Sequence, residues 1–336
     1  MSSIQLGSIT IYPYGLTLAL ACAAALLWMS LSARKNGISA GAVSTFAVMA
    51  LPLGVLCSRA GWCLARLDWV SQQEHFFFQF QRGGGMLYGA LVGVLLALWV
   101  TARVQKLPFA RLADLTAAPG LLVIAIGRLA EGLVGEGYGR NVYEWFDPWG
   151  EQSLIAWEDP SPLFRFPFAV PDHYEEYNFA IFVLEAFAAI LMLVLVLCSR
   201  CRKAGAKAVL ALLLSASMQA VFESMRQDSV LRFGFVRVNQ LLSGVLVLIL
   251  LIICMRGAGK LKPMQRVLPF AELIACCGVI MAMEFALEKK IDFLTWMRMD
   301  VCYMVMSLGA LGLIFTVLPL WRKAFPTIKE SYDIYA

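Results

Sequence analysis

The sequence has few charged residues for its length. They make up 15% of its 336 residues, whereas soluble domains contain about 25%. Hydrophobic residues reach 60%, and the mean hydropathy is +0.72. Low-complexity tracts, coiled-coil heptads and a polar stretch long enough for a separate soluble domain are also missing. These absences exclude a soluble protein and predict an all-α polytopic membrane protein.

Histidine is almost absent, which limits the possible metal chemistry. The two histidines, His75 and His173, both fall in predicted loops, so a multi-histidine site is excluded. The nine cysteines lie in or at the ends of predicted spans, and Cys198 and Cys201 are predicted to face the reducing cytoplasm. Metal binding by this CxxC pair is less favoured than a role as small apolar side chains. We therefore expect no metal and no other cofactor.

Apolar runs of about 20 residues, the length that crosses a bilayer as a helix, recur along the chain. The N-terminus lacks the basic start, short apolar core and small-residue cleavage site of a signal peptide, so we expect the first run to be retained. We predict nine transmembrane helices, at about residues 14–33, 42–64, 85–102, 115–134, 178–198, 206–225, 236–255, 267–287 and 301–321.

The distribution of Lys and Arg predicts the orientation of the spans, because these residues collect in cytoplasmic loops. With the N-terminus outside and the C-terminus inside, sixteen of them fall in inner connections and ten in outer ones. Arg59 and Arg128 lie inside spans. The long outer loop, residues 135–177, is acidic, so the net charge of +5 comes mainly from the inner face. This charge does not indicate a nucleic-acid partner.

The last two spans follow a basic link, RGAGKLKPMQR, and resemble an appended hairpin. We predict a seven-helix membrane domain over residues 1–256, and a two-helix hairpin with a short cytoplasmic tail over residues 257–336. The hairpin carries Glu272 and Glu284, whose spacing does not place them on one helical face. A scaffold role or the binding of a protein partner is favoured for it. The aromatic part of the outer loop is either a lid over a site or an interfacial belt.

Charged side chains within spans cost about 2.5–3.5 kcal/mol each on insertion scales, so they are usually functional or paired. Arg128 and Glu131 stand at i, i+3 at the end of the fourth span, and Glu223 and Arg226 repeat this spacing with reversed signs. One interpretation is two structural ion pairs that join the fourth and sixth helices. The other interpretation is a site for an anionic ligand.

Glycines follow Arg128 in the segment GRLAEGLVGEGYGR. Glycine allows either a close approach of the backbone to a ligand or tight packing of helices, and beside several arginines the first interpretation is favoured. Arginine matches phosphate with a planar fork of donors. We therefore expect a phospholipid phosphate at the outer leaflet to contact Arg128 and Arg226, with Arg140 or Arg59 as a further partner.

Seven segments, in order over about residues 5–256, resemble the prolipoprotein diacylglyceryl transferase family. They are IQLGSITIYPYGL, GVLCSRAGW, GGGMLYGALVG, GRLAEGLVGEGYGR, FVLEA, ESMRQD and NQLLSG. The fourth is similar to the family signature Gly-Arg-Leu-Gly-Asn-Phe-x-Asn-x-Glu-x-Trp-Gly-Arg, which places Glu136 on the signature glutamate. By position, the resemblance implies a substrate-binding set of Tyr14, Arg59, Arg128, Gly139, Arg140, Glu185, Glu223, Arg226 and Gln240.

The resemblance also implies an activity. Members of this family transfer a diacylglyceryl group from phosphatidylglycerol to the lipobox cysteine of lipoprotein precursors and release glycerol phosphate. For this chain, the resemblance implies phosphatidylglycerol, precursor peptides and membrane lipid as partners. It also implies a multi-pass position in the bacterial cytoplasmic membrane, in a divergent member with two additional helices.

Three positions depart from the family pattern. Tyr88 stands in place of a histidine in the third helix, Glu131 in place of the signature asparagine, and Tyr138 in place of the signature tryptophan. The acceptor thiol, with an ordinary pKa of about 8.5, must lose its proton, and a tyrosine with an ordinary pKa of about 10 is a weak base at neutral pH. We expect Glu131 or Glu136 to assist proton removal, although Glu131 could instead neutralise Arg128.

The predicted roles follow from these positions. The arginines are expected to hold phosphate, and Tyr14 and Tyr88 to orient the headgroup. The expected catalytic residues are Tyr88, Arg128, Glu131, Glu136 and Arg226. Two alternatives stay open: a non-catalytic phospholipid-binding or scaffold relative, and a transferase of lipid headgroups to another acceptor. A transporter is disfavoured because no internal repeat is evident.

Overall fold

The computed structural model describes residues 4–6, 9–72, 76–79, 84–141, 169–171, 177–201, 203–227, 231–233, 236–289 and 296–326. The aromatic part of the loop within residues 135–177, both histidines and the C-terminal tail from residue 327 onward lie outside these ranges. The predictions of a lid or belt and of a tail therefore fall on residues that are not described.

Nine helices in the described ranges are long and apolar enough to cross a membrane, so the prediction of an all-α polytopic membrane protein is confirmed. They are α1 (Pro13–Lys35), α2 (Ala40–Ala65), α3 (Leu87–Val104), α4 (Phe109–Glu131), α5 (Ile181–Cys198), α6 (Ala206–Met225), α7 (Val238–Gly257), α8 (Pro263–Leu287) and α9 (Met299–Ala324). A helix pairs most of its backbone N–H and C=O groups within the segment, as a bilayer requires.

Short elements connect the helices at one end of the bundle. Three antiparallel strand pairs occur there in the described residues: β1 (Ile4–Leu6) with β2 (Ile9–Ile11), β3 (Ala169–Pro171) with β4 (Tyr177–Phe179), and β5 (Arg232–Phe233) with β6 (Val236–Arg237). A helical turn, Leu67–Val70, follows α2, and 3-10 turns occur at Phe76–Phe78 and Gly132–Val134. Helices α4 and α6 end here, and α5 and α7 begin here. We call this end of the bundle the site end, because the charged residues described below lie here.

Helices α2 and α3 approach each other closely through glycine. A Cβ atom at Gly89 would lie 2.4 Å from the carbonyl oxygen of Cys57, and one at Gly93 would lie 2.3 Å from that of Leu53. Without side chains at these positions, the two backbones pack directly, as small residues permit between membrane helices. The glycines within α3 therefore serve helix packing.

Helix α6 is the central helix of the bundle. Of its most apolar 18-residue window, 67% is buried inside the protein, against 17% for α2. It packs against α4, α5, α7 and α9. Asp114 of α4 stabilises its first turn, accepting hydrogen bonds from the backbone N–H groups of Gly205 and Ala208 at 2.8 and 2.9 Å. A carboxylate here satisfies free N–H groups and interacts favourably with the helix dipole.

The α8–α9 hairpin packs against α6 and α7. At the end of the bundle opposite the site end, the indole Nε1 of Trp321 donates to the carbonyl oxygen of Ala206 at 2.9 Å, and Lys203 Nζ donates to that of Ala324 at 2.7 Å. Glu284 is buried within the protein, whereas Glu272 is partly exposed, which agrees with the prediction that the two do not form one site. The hairpin is therefore joined to the bundle by specific polar contacts.

Candidate active site

Four charged side chains from three helices meet at the site end. Arg128 and Glu131 come from the last turn of α4, Glu185 from the start of α5, and Arg226 from the residue that ends α6. Arg128 Nη1 lies 2.8 Å from Glu131 Oε1, and Arg226 Nη1 lies 2.7 Å from Glu131 Oε2. Glu131 thus bridges the two arginines with both of its oxygens.

Glu185 forms a second bridge between the same two arginines. Its Oε2 atom lies 3.3 Å from Arg128 Nε and 2.9 Å from Arg226 Nη1. The side chain is only 4% exposed. Its other oxygen, Oε1, is buried and accepts no hydrogen bond from any described residue. A buried carboxylate oxygen is usually hydrogen-bonded, so this atom has capacity for a donor from a ligand.

The i, i+3 contact between Arg128 and Glu131 is confirmed, and Arg226 does join α6 to α4, through Glu131. The structure thus shows the first of the two ion pairs of the structural interpretation, and it shows a direct ion pair between the fourth and sixth helices. Two positive and two negative charges face one another in this cluster, which keeps the buried charges compensated. Binding of a phosphate by the arginines stays a prediction.

Gln219 extends the cluster along α6, and the sequence analysis missed it. Arg128 Nη2 donates to Gln219 Oε1 at 3.3 Å, and Gln219 Nε2 donates to Glu223 Oε2 at 3.0 Å. All three guanidinium nitrogens of Arg128 are thereby engaged. The available signal was an amide four positions before Glu223 on the same face of an apolar span.

A cavity of about 100 Å³ adjoins the cluster. Its polar wall includes Arg128, Glu185 and Gln219, and the remainder is mainly apolar. The apolar lining residues are Leu87, Leu91, Ile124, Met192, Leu212, Ala216, Met218, Phe222 and Leu246. A cavity of about 150 Å³ admits a benzene molecule, so this space has room for several methylene groups beside the charged cluster.

Tyr88 also lines this cavity. Its hydroxyl lies 2.6 Å from Ser243 Oγ, and Ser243 Oγ donates to the backbone carbonyl of Asn239 at 2.9 Å. Because the single hydroxyl proton of Ser243 is directed to that carbonyl, Tyr88 is the donor in their contact. Tyr88 therefore links α3 to α7 as a protonated hydroxyl. Orientation of a headgroup by Tyr88 stays a prediction.

The glycine-rich turn after α4 packs against the start of α5. Gly135 and Gly137 have φ values of +74° and +79°, a backbone conformation that favours glycine and forms a tight turn. A Cβ atom at Gly137 would lie 2.7 Å from Phe182 Cβ, and one at Gly139 would lie 2.7 Å from Ile181 Cγ1. The Cβ sides of these glycines thus face protein, as the packing interpretation requires. A close approach of their backbone to a ligand stays a prediction.

Backbone hydrogen bonds hold this turn against its neighbours. The N–H of Gly139 donates to the carbonyl of Phe179 at 2.7 Å, and the N–H of Gln227 donates to that of Tyr138 at 3.0 Å. Gly139 also forms a backbone bridge with Arg226. Gly139 therefore lies beside the cluster through its backbone.

Arg59 is buried, and its described hydrogen bonds hold the chain before α3. Its Nη1 and Nη2 atoms donate to the carbonyls of Gly84 and Gln79, both at 3.0 Å, and Nε donates to that of Phe77 at 3.4 Å. Its guanidinium also lies 5.7 Å from the ring centroid of Trp62. These contacts with backbone carbonyls order the residues that precede the helix. A phosphate contact of Arg59 stays a prediction.

The remaining predicted residues lie at various positions around the cluster. Tyr14 is within electrostatic range of Arg128, Glu131 and Arg226. Glu136 is exposed in the turn after α4. Arg140 Nη1 lies 3.7 Å from the sulfur of Met299, so Arg140 reaches the hairpin.

Gln240 donates from Nε2 to the carbonyl of Ala220 at 2.9 Å and to Glu284 Oε2 at 3.2 Å. It therefore joins α7 to α6 and to the hairpin. These contacts are at the site end, but they do not include a residue of the arginine cluster. The described contacts do not bring Gln240 or Arg140 to Arg128.

Comparison with known proteins identifies similar chains. The family model of prolipoprotein diacylglyceryl transferases matches residues 2–256. The chain is similar to a protein named phosphatidylglycerol–prolipoprotein diacylglyceryl transferase from Symbiobacterium thermophilum, with 29% identity over 259 residues, covering 75% of this chain and 90% of that protein. Proteins with the same name from Listeria innocua and Bacillus licheniformis are 26% and 28% identical. They are covered over 91% and 88% of their own lengths, with 78% and 73% of this chain aligned.

Proposed function

This chain belongs to the prolipoprotein diacylglyceryl transferase family, and we propose that it transfers a diacylglyceryl group from phosphatidylglycerol to the cysteine thiol of a lipoprotein precursor. The family match over residues 2–256 supports the reaction class, and the names of the relatives supply the donor and acceptor. We infer a multi-pass protein of the bacterial cytoplasmic membrane whose site end faces outward, as the distribution of Lys and Arg predicts.

One observation carries the proposal: an arginine from α4 and an arginine from the end of α6 converge on one carboxylate, that of Glu131. The Nη1 atoms of Arg128 and Arg226 lie 2.8 and 2.7 Å from the two oxygens of Glu131. A phosphate presents a similar pair of oxygens and prefers the same guanidinium donors. The two arginines therefore offer one phosphate a contact from each side.

The chemistry gives these arginines a catalytic role as well as a binding role. The thiolate sulfur attacks the glyceryl carbon that carries the phosphate, the C–S bond forms, and the C–O bond breaks with its electron pair leaving on glycerol phosphate. The phosphate is a singly charged diester before the step and gains a second negative charge as it leaves. Cations placed at this oxygen stabilise the transition state more than the bound substrate, which is the condition for a faster reaction.

We infer that Glu185 accepts the thiol proton. Tyr88 is a hydrogen-bond donor to Ser243, both oxygens of Glu131 are bound to arginine, and Glu136 is exposed. Glu185 lines the cavity and has an oxygen that receives no hydrogen bond from a described residue. A general base has to reach the proton that it removes. We assign this role to Glu185 because the residue lines the cavity and this oxygen has no described donor.

The apolar cavity supports binding of the lipid beside the arginines. Its volume of about 100 Å³ is too small for two acyl chains. We propose that it holds the glyceryl portion and the first methylene groups, while the remainder of each chain lies in the bilayer. This arrangement would place the ester bond to phosphate at the boundary between the apolar lining and Arg128.

The test uses the full chain in vesicles that contain phosphatidylglycerol, with a synthetic lipobox peptide as acceptor. Glycerol phosphate release and the mass of the peptide are measured together. We expect both signals, and a loss of about 10²- to 10³-fold for Arg128→Ala, as for removal of one transition-state donor. Arg103→Ala, an exposed position at the opposite end of the bundle, is the matched control. Absence of release, or release unaffected by Arg128→Ala, overturns the proposal.

A non-catalytic phospholipid-binding or scaffold protein is the second candidate, and Glu131 favours it. This carboxylate occupies both arginines and, together with Glu185, balances their charge. Phosphatidylglycerol binding without release of glycerol phosphate would support this candidate. Release without a lipidated peptide would indicate another acceptor. A protein partner of the α8–α9 hairpin stays a prediction, because the described contacts of the hairpin are within this chain.

A further inference from the structure

A buried ion pair connects the hairpin to α7. Arg237, the residue before α7, donates from Nε to Glu284 Oε1 of α8 at 3.0 Å, and both side chains are only 2% exposed. Burial of two charges is costly unless they are paired and their remaining donors and acceptors are satisfied. The other contacts of both residues show what the pair does.

Arg237 uses its second donor group on the end of α6. Its Nη1 atom donates to the backbone carbonyls of Glu223 at 2.5 Å and of Arg226 at 3.0 Å. The last carbonyls of a helix have no partner within the helix, and a basic side chain satisfies them. Arg226 is the residue at which α6 gives way to extended backbone, with φ −78° and ψ 135°. Arg237 therefore holds the backbone from which the Arg226 side chain enters the cluster.

The hairpin supplies further contacts to the same turn. Glu284 Oε2 accepts hydrogen bonds from Ser224 Oγ and from Gln240 Nε2. The hydroxyl of Tyr303, near the start of α9, donates to the carbonyl of Ser224 at 3.2 Å. Both helices of the hairpin thus contact the final turn of α6, either directly or through Arg237.

We propose that the α8–α9 hairpin is a positioning element for the transfer site, with Glu284 as the positioning residue that acts through Arg237 on Arg226. Glu284 holds the Arg237 guanidinium in place, Arg237 fixes the end of α6, and this sets the direction from which Arg226 meets the phosphate. The hairpin lies beyond the residues that the family model matches, so this device is an addition to the family's matched segment. The proposal rests on the proposed function only for its assay.

The experiment is a double-mutant cycle in the full chain. Glu284→Gln, Arg226→Lys and the double variant are compared for kcat and KM with phosphatidylglycerol, per folded molecule, with the melting temperature recorded for each. A misplacement of about 1 Å in a catalytic group costs about a hundredfold in rate. We expect Glu284→Gln to lower kcat at least about tenfold and to have little further effect once Arg226 is Lys, because the two act in series.

Two further variants make the cycle specific. Glu284→Asp keeps the negative charge and is expected to recover a large part of the lost kcat. Glu272→Gln removes a carboxylate from the same helix that makes no ion pair with a described residue, and it is expected to leave kcat and KM unchanged. Glu272 is therefore the matched control for loss of one charge from α8.

The outcomes separate the two proposals. Turnover by the wild-type chain with additive effects of Glu284→Gln and Arg226→Lys, or a lowered melting temperature with unchanged kcat, overturns the positioning role and leaves the proposed function intact. If the wild-type chain binds phosphatidylglycerol without turnover, the proposed function fails. The same set of variants is then compared by the dissociation constant of phosphatidylglycerol in vesicles. Non-additive effects there support the positioning role, and additive effects overturn it.

Discussion

Replacing Glu131 by glutamine removes one negative charge from between two arginines and keeps the size of the side chain. The two oxygens of Glu131 lie 2.8 Å from Arg128 Nη1 and 2.7 Å from Arg226 Nη1. Glutamine has one acceptor oxygen and one amide group that only donates, so it can accept from one of the two arginines. A phosphate that enters the cluster then competes with one interaction instead of two.

The structure sets the size of this effect. A hydrogen bond to a charged group contributes about 1.5–3 kcal/mol, and the Glu131 side chain is 13% exposed, so solvent screens the bond only in part. Every ~1.4 kcal/mol of binding free energy corresponds to a tenfold change in affinity. We therefore expect Glu131→Gln to tighten the binding of phosphatidylglycerol by between about tenfold and about a hundredfold.

The assay is steady-state kinetics with phosphatidylglycerol in vesicles, supported by direct measurement of lipid binding. We expect KM to fall and kcat to stay within a few-fold of the wild-type value. Glu288→Gln is the control, because it removes a carboxylate from the Arg232–Glu288 pair, also at the site end. A general base contributes about 10²- to 10⁴-fold. A fall of kcat by that amount with unchanged KM would therefore show that Glu131 is the base. A raised KM would show that Glu131 positions the arginines. Either result refutes the expectation that Glu131 competes with phosphate for the two arginines.

Two other substitutions test separate parts of the structure. Glu185→Gln is expected to lower kcat by about 10²- to 10⁴-fold, because it removes the proposed proton acceptor. The kcat is measured by release of glycerol phosphate, and an unchanged kcat would exclude this role for Glu185. Gly93→Ala places a Cβ atom 2.3 Å from the carbonyl oxygen of Leu53 and is expected to destabilise the packing of α2 and α3 by about 1–3 kcal/mol, as overpacking does. Gly120→Ala, where a Cβ atom meets nothing within 4 Å, is the control, and thermal unfolding in detergent shows whether only the first substitution lowers the melting temperature.

Local contacts of the site were accessible from the sequence, because they depend on helical spacing alone. Arg128 and Glu131 stand one turn apart at the end of an apolar run, and they do form an ion pair. The resemblance to the family also named Glu185 and Arg226, although it did not show that both arginines share both carboxylates. The second contact of Glu131, with Arg226, depends on how α6 packs against α4, and spacing along the chain carries no such information.

Other parts of the site could not be found in this way. Arg237 is one of the ten basic residues that the sequence places in outer connections, yet it is buried against Glu284. Gln219 carries no charge, so the search for charged residues within spans does not find it. The sequence also does not show which residues lie opposite the glycines after Arg128. Phe182 and Ile181 are there, and they belong to a helix that begins more than 40 residues later in the chain.

The sequence by itself determined the number and approximate limits of the membrane-spanning helices, since the bilayer thickness demands about 20 apolar residues for each helix. It also determined which spans contain charges, because such residues are rare and costly in lipid. Only the tertiary structure decided which charges pair between different helices. A buried charge is stabilised by whatever side chains the neighbouring helices bring to it. Helix packing brings Glu131 to Arg226, Glu185 to both arginines, and Glu284 of the hairpin to Arg237.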